Sequence, residues 1–447
     1  MADLTSRLHP PKAVRDIAET LERAGYETWC VGGAVRDALL GRTHLDWDLA
    51  TQATPAVVRA LFRHTVPLGL EFGTVGVKDR SGVQHEVTTF RRDVRTDGRH
   101  AEVEFGVSLD EDLARRDFTI NAIAYSPRLG VLHDPFDGRR DLERKIVRAV
   151  GVLGERMRED RLRALRALRF ASRFGFEIEA RTWQAIVDSA PFLTRLSRER
   201  VKQELEKTME QVRHPSRALQ LWRRSGALAA LVPELTAQPD VAFVAADHIG
   251  LPEDTENPGL ASSRKINRLT TMFLGVDEGS TRRTLRDLRF SNREINWIGS
   301  ISGSWRDVDP QIRAVLTREA RAKDVDVRRW AARTGRTETR DLLRVSYARW
   351  AAERAYGAEA PTLARACALY RHALVVAYRD PISLDDLAVD GNDLSDIGIA
   401  PGPRVGATLR WLLEKVVEDP TRNRPEHLLE LARVMPTAPE APAPSDR

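Results

Sequence analysis

The chain has 447 residues, 42% of them hydrophobic and 30% charged, with a net charge of +5 and an isoelectric point near 9.3. That length is too great for one hydrophobic core, so three or four compact units are expected, and the balance of residues excludes a disordered chain. There is no run of 18 apolar residues and no signal-peptide layout, and the two cysteines, Cys30 and Cys367, are too few for a disulfide framework or a zinc site, so a cytoplasmic protein without a membrane segment is expected.

Residues 13–25 carry Val14, Ile17, Ala18 and Leu21 at helical spacing, which predicts an amphipathic helix stopping at Gly25. Thr28–Val31 reads as a short buried strand feeding Gly32-Gly33. Residues 74–79 and 84–90 are further strand-like stretches, with Ser81-Gly82 as the turn between them. From Asp141 onward strand patterns nearly vanish and helical periodicity dominates. The expected fold class is α+β: a mixed head followed by an all-helical remainder. Breaks near 151–154, Pro215, 251–263 and Asp380-Pro381 divide the chain into 1–150, 151–215, 216–380 and 381–435. Residues 436–447, rich in Pro and Ala, are expected to be disordered. No internal repeat is visible.

Chemistry concentrates in Val31-Gly32-Gly33-Ala34-Val35-Arg36-Asp37, followed by Asp46-Trp47-Asp48-Leu49. A Gly-Gly turn after a strand lets backbone N–H groups approach a triphosphate, and Arg36 can add a bidentate phosphate contact. Asp46 and Asp48 are two apart, so on an extended segment their carboxylates point to one side and can hold a pair of Mg²⁺ ions. Alone, a Gly-Gly is uninformative and an Asp-x-Asp is most often a turn or a solvated pair. Together at this spacing, the parts resemble the class II tRNA nucleotidyltransferase and bacterial poly(A) polymerase family, of the polymerase-β-like nucleotidyltransferase superfamily.

That resemblance covers residues 28–235 and resumes over 381–432. It implies a nucleotidyltransferase head at 1–150, a base-selecting helical neck at 151–215, a helical body at 216–380 and a tRNA-binding tail at 381–435. It makes Asp46 and Asp48 the metal carboxylates, with Glu86, in His85-Glu86-Val87, as the third catalytic acid. In Asp112-Leu113-Ala114-Arg115-Arg116-Asp117-Phe118-Thr119-Ile120-Asn121 it makes Arg116 a nucleotide contact, with Asp117 and Asn121 in support. Asp134-Pro135-Phe136-Asp137-Gly138 resembles the family's hinge, although a plain turn would read the same. Residues 91–104, polar and without a hydrophobic period, read as a mobile loop; the family associates this loop with the switch to ATP.

Glu159-Asp160-Arg161-Leu162-Arg163 through Arg169 is helical in pattern and matches the family's base-selecting motif. Asp160 only accepts hydrogen bonds and Arg163 only donates them. Cytosine and adenine each offer an amino donor beside a ring-nitrogen acceptor, whereas uracil and guanine present the reverse order. An Asp–Arg pair therefore suits C and A and leaves unpaired polar groups against U and G. Arg166 and Arg169 continue the stripe towards the phosphates. Without the head, the same segment would read as an Arg-rich surface helix. Glu199-Arg200-Val201-Lys202-Gln203-Glu204 matches a family element that ties neck helices together by ion pairs.

Residues 144–224 hold 20 Lys and Arg against 10 Asp and Glu, so this segment is strongly basic on an otherwise acidic chain. That is the electrostatic footprint of a phosphate-backbone partner, although a solvated Arg-rich surface would also give it. The body shows only an inverted Asp247-His248 pair, so no metal phosphohydrolase activity of the kind some relatives carry is expected. The reading is metal-dependent transfer of CMP and AMP from CTP and ATP to a tRNA 3′-hydroxyl, with tRNA as partner and no obligate protein partner evident. The alternatives are a poly(A) polymerase, a CC-only or A-only enzyme, or a silent RNA-binding protein on the same fold.

Overall fold

The computed structural model describes residues 4–43, 46–96, 101–250, 258–318 and 321–435. The chain forms two compact units, Met1–Thr236 and Ala237–Arg447. The first opens with α1 (Lys12–Arg23), which buries Val14, Ile17, Ala18 and Leu21, the four residues whose spacing marks the helix. The head strands are β1 (Thr28–Val31), β2 (Asp48–Thr51), β3 (Thr65–Gly69), β4 (Thr74–Lys78), β5 (Gln84–Thr89), β6 (Arg91–Thr96), β7 (Ala101–Phe105), β8 (Ala124–Ser126) and β9 (Val131–His133). Between them lie α2 (Gly33–Leu39), α3 (Pro55–Leu61) and α4 (Leu109–Ala114). Seven strands form one sheet in the order β3-β4-β5-β2-β1-β8-β9. In it β2 and β5 run parallel, and the other neighbours run antiparallel.

The 91–104 segment, expected as a loop, is instead the antiparallel hairpin β6–β7. Only its tip, 97–100, lies outside the described residues. A two-stranded ribbon outside the main sheet needs no alternating apolar face, which is why period 2 is missing from its sequence. Arg92 ion-pairs across the hairpin with Glu104 at 2.8 Å and ties its base to Glu111 of α4 at 3.3 Å.

The rest of the first unit comprises α5 (Gly138–Arg144), β10 (Ile146–Val147), α6 (Leu153–Glu159), α7 (Leu162–Phe174), β11 (Glu177–Ile178), α8 (Ala180–Ser189), α9 (Arg198–Gln211), α10 (Pro215–Ser225) and α11 (Ala227–Leu231). Helix α7 is held by burial of Leu162, Ala164, Leu165, Ala167 and Leu168. Before α5, the Asp134 carboxylate accepts the backbone N–H groups of Gly138 and Arg139 at 2.7 and 3.0 Å. A Cβ on Gly138 would lie 2.2 Å from the Thr119 carbonyl oxygen, so only glycine fits that turn.

The second unit is helical: α12 (Asp240–Asp247), α13 (Pro258–Phe273), α14 (Glu278–Asp287), α15 (Asn292–Thr317), α16 (Asp324–Thr334), α17 (Glu338–Ala355), α18 (Leu363–Arg379), α19 (Gly391–Asp396), α20 (Pro403–Glu418) and α21 (Pro425–Arg433). One core gathers Ile301, Ile312, Trp330, Val345 and Trp350, and a smaller one gathers Leu394, Leu412, Val416 and Leu428. Buried Arg328 on α16 donates to the Val417 carbonyl at the end of α20 (2.7 Å) and to Asp380 (2.9 Å). Residues 436–447, expected to be disordered, lie outside the described residues. Among the described residues no helix is long and apolar enough to cross a membrane.

Candidate active site

Sheet register places the acidic residues. Val31, the last residue of β1, pairs with Asp48, the first of β2, and Leu49 lies opposite Val87 across the parallel β2–β5 pairing. Asp48 and Glu86, one residue earlier on each strand, therefore stand side by side on the face opposite buried Leu49 and Val87. Asp46 and Glu86 are exposed and Asp48 is half-buried. Burial, and then the charges of Glu86 and Asp46, push the Asp48 carboxyl up to about 7, against the opposing pull of Arg116. A carboxyl raised by its acidic neighbours is where a divalent cation would relieve repulsion, and the all-oxygen donor set suits Mg²⁺. Among the described residues no three His, Cys, Asp or Glu side chains already form a metal-ligating group. Mg²⁺ is usually held by one or two carboxylates together with substrate phosphates, so these acids fit a cation that arrives with a triphosphate.

Gly32 joins β1 to α2 at φ +75° and ψ −129°, a conformation that side chains disfavour. A Cβ there would also lie 2.9 Å from Nη1 of Arg116, so the missing side chain is what lets that guanidinium cross the turn. Arg116 is anchored by buried Asp112 (3.1 Å), which also takes two donors from Arg115 at 2.9 and 3.0 Å. Burial alone would raise the Asp112 carboxyl, but Arg116 and Arg115 hold it below the usual range. Arg36 is buried: its Nε donates to Asp37 at 2.7 Å, its Nη1 donates to Asn121, and its guanidinium lies over the Phe170 and Phe174 rings.

Residues 159–169 are not one continuous helix. Helix α6 ends at Glu159, and Asp160 is extended at φ −144° and ψ 101°. Its Oδ1 accepts the Leu162 N–H at 3.0 Å; a short carboxylate side chain competing for local backbone donors in this way interrupts the helix. Asp160 and Arg163 are each positioned by other residues. Asp160 Oδ2 accepts from Arg200 at 2.8 Å. Arg163 donates to Glu159 (2.9 Å), to the Arg156 carbonyl (3.0 Å) and to the Arg115 carbonyl (3.0 Å). Arg156 in turn donates to the carbonyls of Ala114 and Arg116, so Arg156 and Arg163 satisfy orphan acceptors at the end of α4.

Further along α7, Arg166 donates to Asp117 (2.8 Å), and Asp117 also accepts from Asn121 (2.8 Å). Buried Arg169 grips Glu204 of α9 at 2.7 Å and Gln211 at 3.1 Å. The Glu199–Glu204 element thus clamps both ends of the 160–169 stretch through Arg200 and Glu204.

These elements enclose a cleft of about 470 Å³, bordered by Gly32, Gly33, Arg36, Asp48, Arg116, Asp160, Arg163, Arg166 and Arg169. Of the residues singled out in the sequence, Asp46 and Glu86 are not among its walls and reach the site through the charge they place on Asp48. Asp112, Arg115, Arg156 and Glu159, which hold the walls together, have no individual role legible in the sequence. The one signal for them was a dense alternation of Arg and acid.

Residues 28–148 match the model of the "Poly A polymerase head domain", and 175–238 match the "Probable RNA and SrmB- binding site of polymerase A". The CCA-adding enzyme of Lactiplantibacillus plantarum is 35% identical over 440 residues, covering 95% of this chain and 96% of the relative. The chain belongs to the class II tRNA nucleotidyltransferase family of CCA-adding enzymes. Within that family, the Geobacillus stearothermophilus enzyme is 40% identical over 294 residues, covering 65% of this chain and 70% of the relative. The crystal structure of the Bacillus stearothermophilus CCA-adding enzyme in complex with CTP superposes with a TM-score of 0.73 at 32% identity, covering 95% of this chain and 98% of that one.

Proposed function

We propose that this chain completes the 3′ end of tRNA, adding CMP, CMP and AMP from CTP and ATP without a nucleic-acid template and releasing pyrophosphate. The observation that carries this reading is the union in one cleft of the Gly32–Gly33 turn, Asp48, Arg116, and the Asp160 and Arg163 side chains, with Glu86 next to Asp48 on the neighbouring strand. Full-length relatives named CCA-adding enzymes support it.

The tRNA 3′-oxygen attacks the α-phosphorus, a new P–O bond forms, and the bond to the bridging oxygen of the leaving pyrophosphate breaks. Mg²⁺ bound at Asp46 and Asp48, with Glu86 alongside, would supply activation of the hydroxyl and neutralisation of the leaving group. Arg116 takes charge on the triphosphate, and the Gly32–Gly33 backbone allows its close approach. Asp160 and Arg163 read the base. Each oxygen of Asp160 already takes one donor, which leaves each an acceptor position for an amino group. On Arg163, one Nη2 proton and the Nε proton remain beyond its three protein contacts, available for the ring nitrogen or carbonyl of C or a ring nitrogen of A. The basic 144–224 segment offers the tRNA backbone a favourable field. In this reading 1–150 is the catalytic head, 151–215 the neck, 216–380 the body and 381–435 a tRNA-binding tail, and the reaction runs in the cytoplasm with its substrates.

The test is to incubate purified protein with tRNA lacking its CCA end. CTP alone should extend it by two nucleotides, and added ATP by one more. Extension only of a tRNA already ending in CC would show an A-adding enzyme. Long adenosine tracts on unrelated RNA would show a poly(A) polymerase.

A further inference from the structure

One end of the cleft holds more positive charge than its own acids neutralise. Phe170 and Phe174 on α7 stack at 5.8 Å with an interplanar angle of 10°. The guanidinium carbons of Arg36, Arg42 and Arg173 lie 4.7, 4.9 and 5.2 Å from the centre of the Phe174 ring. Arg169 lies 4.5 Å from that of Phe170. Arg36 and Arg173 share one acid, Asp37, at 2.7 and 3.4 Å. Arg169 takes Glu204 at 2.7 Å, and Lys207 reaches the same carboxylate only at 3.9 Å. Among the described residues, five cations of this group (Arg36, Arg42, Arg169, Arg173 and Lys207) thus share two acids. The crowding shows on Arg173, whose guanidinium is brought down to about 10 by burial and by the charges of Arg36, Arg42 and Arg169, with Asp37 opposing.

We propose that Arg173, Lys207 and Gln211 form a phosphate-binding subsite at the neck end of the cleft, beside the Gly32–Gly33 turn. All three border the cleft, and a side chain on Gly33 would begin 3.6 Å from Nη2 of Arg36, so the cationic group and the turn are neighbours. Gln211 accepts through its carbonyl oxygen from Arg169 (3.1 Å) and Arg173 (3.4 Å), which leaves its amide N–H groups as donors. A guanidinium, an ammonium and an amide N–H together are a donor set for phosphate oxygens, and the excess cations neutralise its charge. The phosphate is either the tail of the incoming triphosphate or a backbone phosphate of the RNA strand. The identity of the ligand rests on the nucleotidyltransferase reading.

The variants are Arg173→Gln, Arg173→Lys and Lys207→Gln. They are measured for the KM of CTP and ATP, inhibition by pyrophosphate, and the Kd of CCA-less tRNA at several salt concentrations. If the site serves the triphosphate, KM for both nucleotides and the pyrophosphate inhibition constant rise together by about 10- to 100-fold, with tRNA affinity unchanged. If it serves the RNA strand, tRNA affinity falls by a similar factor and the slope of log affinity against log salt shrinks by about 0.7. In either case Arg173→Lys recovers part of the loss. The inference is overturned if Arg173→Gln and Lys207→Gln bind nucleotide, pyrophosphate and tRNA as the parent does, or lose only kcat. Should Arg173→Gln fail to fold, Lys207→Gln, on a half-exposed side chain, decides alone. The parent's own incorporation of C, C and A is scored separately, so failure of the subsite is distinct from failure of the proposed function.

Discussion

If base choice resides in the Asp160 carboxylate, removing that group must degrade selectivity before it degrades the fold. Asp160→Ala deletes an acceptor whose two oxygens are oriented by the Leu162 N–H and by Arg200, and it removes the repulsion that a uracil or guanine carbonyl would meet there. A hydrogen bond to a charged group contributes ~1.5–3 kcal/mol, so the preference for CTP over UTP should fall by about 10- to 100-fold. Arg200→Ala leaves the carboxylate in place with one anchor, so its effect should be smaller, about 3- to 10-fold on the same scale. The Asp160–Arg200 pair is more than a quarter exposed on both sides, so its loss should cost ~1 kcal/mol or less. In a unit of this size that lowers the melting temperature by roughly 2–4 °C, and reduced activity would not reflect unfolding. Competition assays with CTP and UTP on CCA-less tRNA give the ratios for both single variants and the double variant. Because Arg200 acts through Asp160, the double variant should match Asp160→Ala. A double variant whose loss is the product of the two single losses, or unaltered preference in both singles, would refute the assignment.

Asp46→Asn and Asp48→Asn should each abolish C and A addition alike by several orders of magnitude, with tRNA affinity near that of the parent; loss of A alone in single-turnover assays would break the shared-site reading. Glu204→Ala leaves buried Arg169 without its carboxylate, an uncompensated charge costing ~3–5 kcal/mol; denaturant titration should show that loss, and an unchanged midpoint would contradict it. Shortening the β6–β7 hairpin should spare C addition and lose A addition, and equal loss of both would reject it as the switch. A stop codon after Asp380 should weaken tRNA binding and also destabilise the second unit, because Arg328 loses the carbonyls of Val417 and Glu418; undiminished tRNA affinity and melting would argue against the tail.

Where burial dictated the pattern, local sequence was enough to find the structure. The spacing of Val14, Ile17, Ala18 and Leu21 marked α1, and the run Thr28–Val31 marked the strand that delivers Gly32. The Gly-Gly turn was legible because a positive φ and a close approach by Arg116 restrict that position to glycine. The hairpin was illegible because its pairing requires no apolar period. The break at Asp160 was hidden because Met157, Leu162 and Leu165 keep a near-helical apolar rhythm on either side of it. Partners distant in sequence were also beyond local pattern: Arg200 reaches back 40 residues to Asp160, and Glu204 reaches 35 to Arg169. Arg36 is a related case, read from sequence as a phosphate contact and found committed to Asp37, Asn121 and two aromatic rings.

The hydrogen bonds from Arg156 and Arg163 to the carbonyls of residues 114–116 make the cleft a gauge of fixed span. If Asp160 and Arg163 read the base and Arg116 takes the phosphates, as proposed, both jaws are riveted to the same three peptide groups. A purine reaches further from its sugar than a pyrimidine, so one setting of the gauge cannot seat CTP and ATP identically. Opening the jaws would break bonds to backbone acceptors at the end of α4. On that proposal the adjustment falls to parts outside the rivets: the side chain of Asp160, held by Arg200, and the hairpin tied to α4 through Arg92 and Glu111. An enzyme working in the proposed way would measure its substrate with a hydrogen-bonded frame and accommodate the difference at its edges.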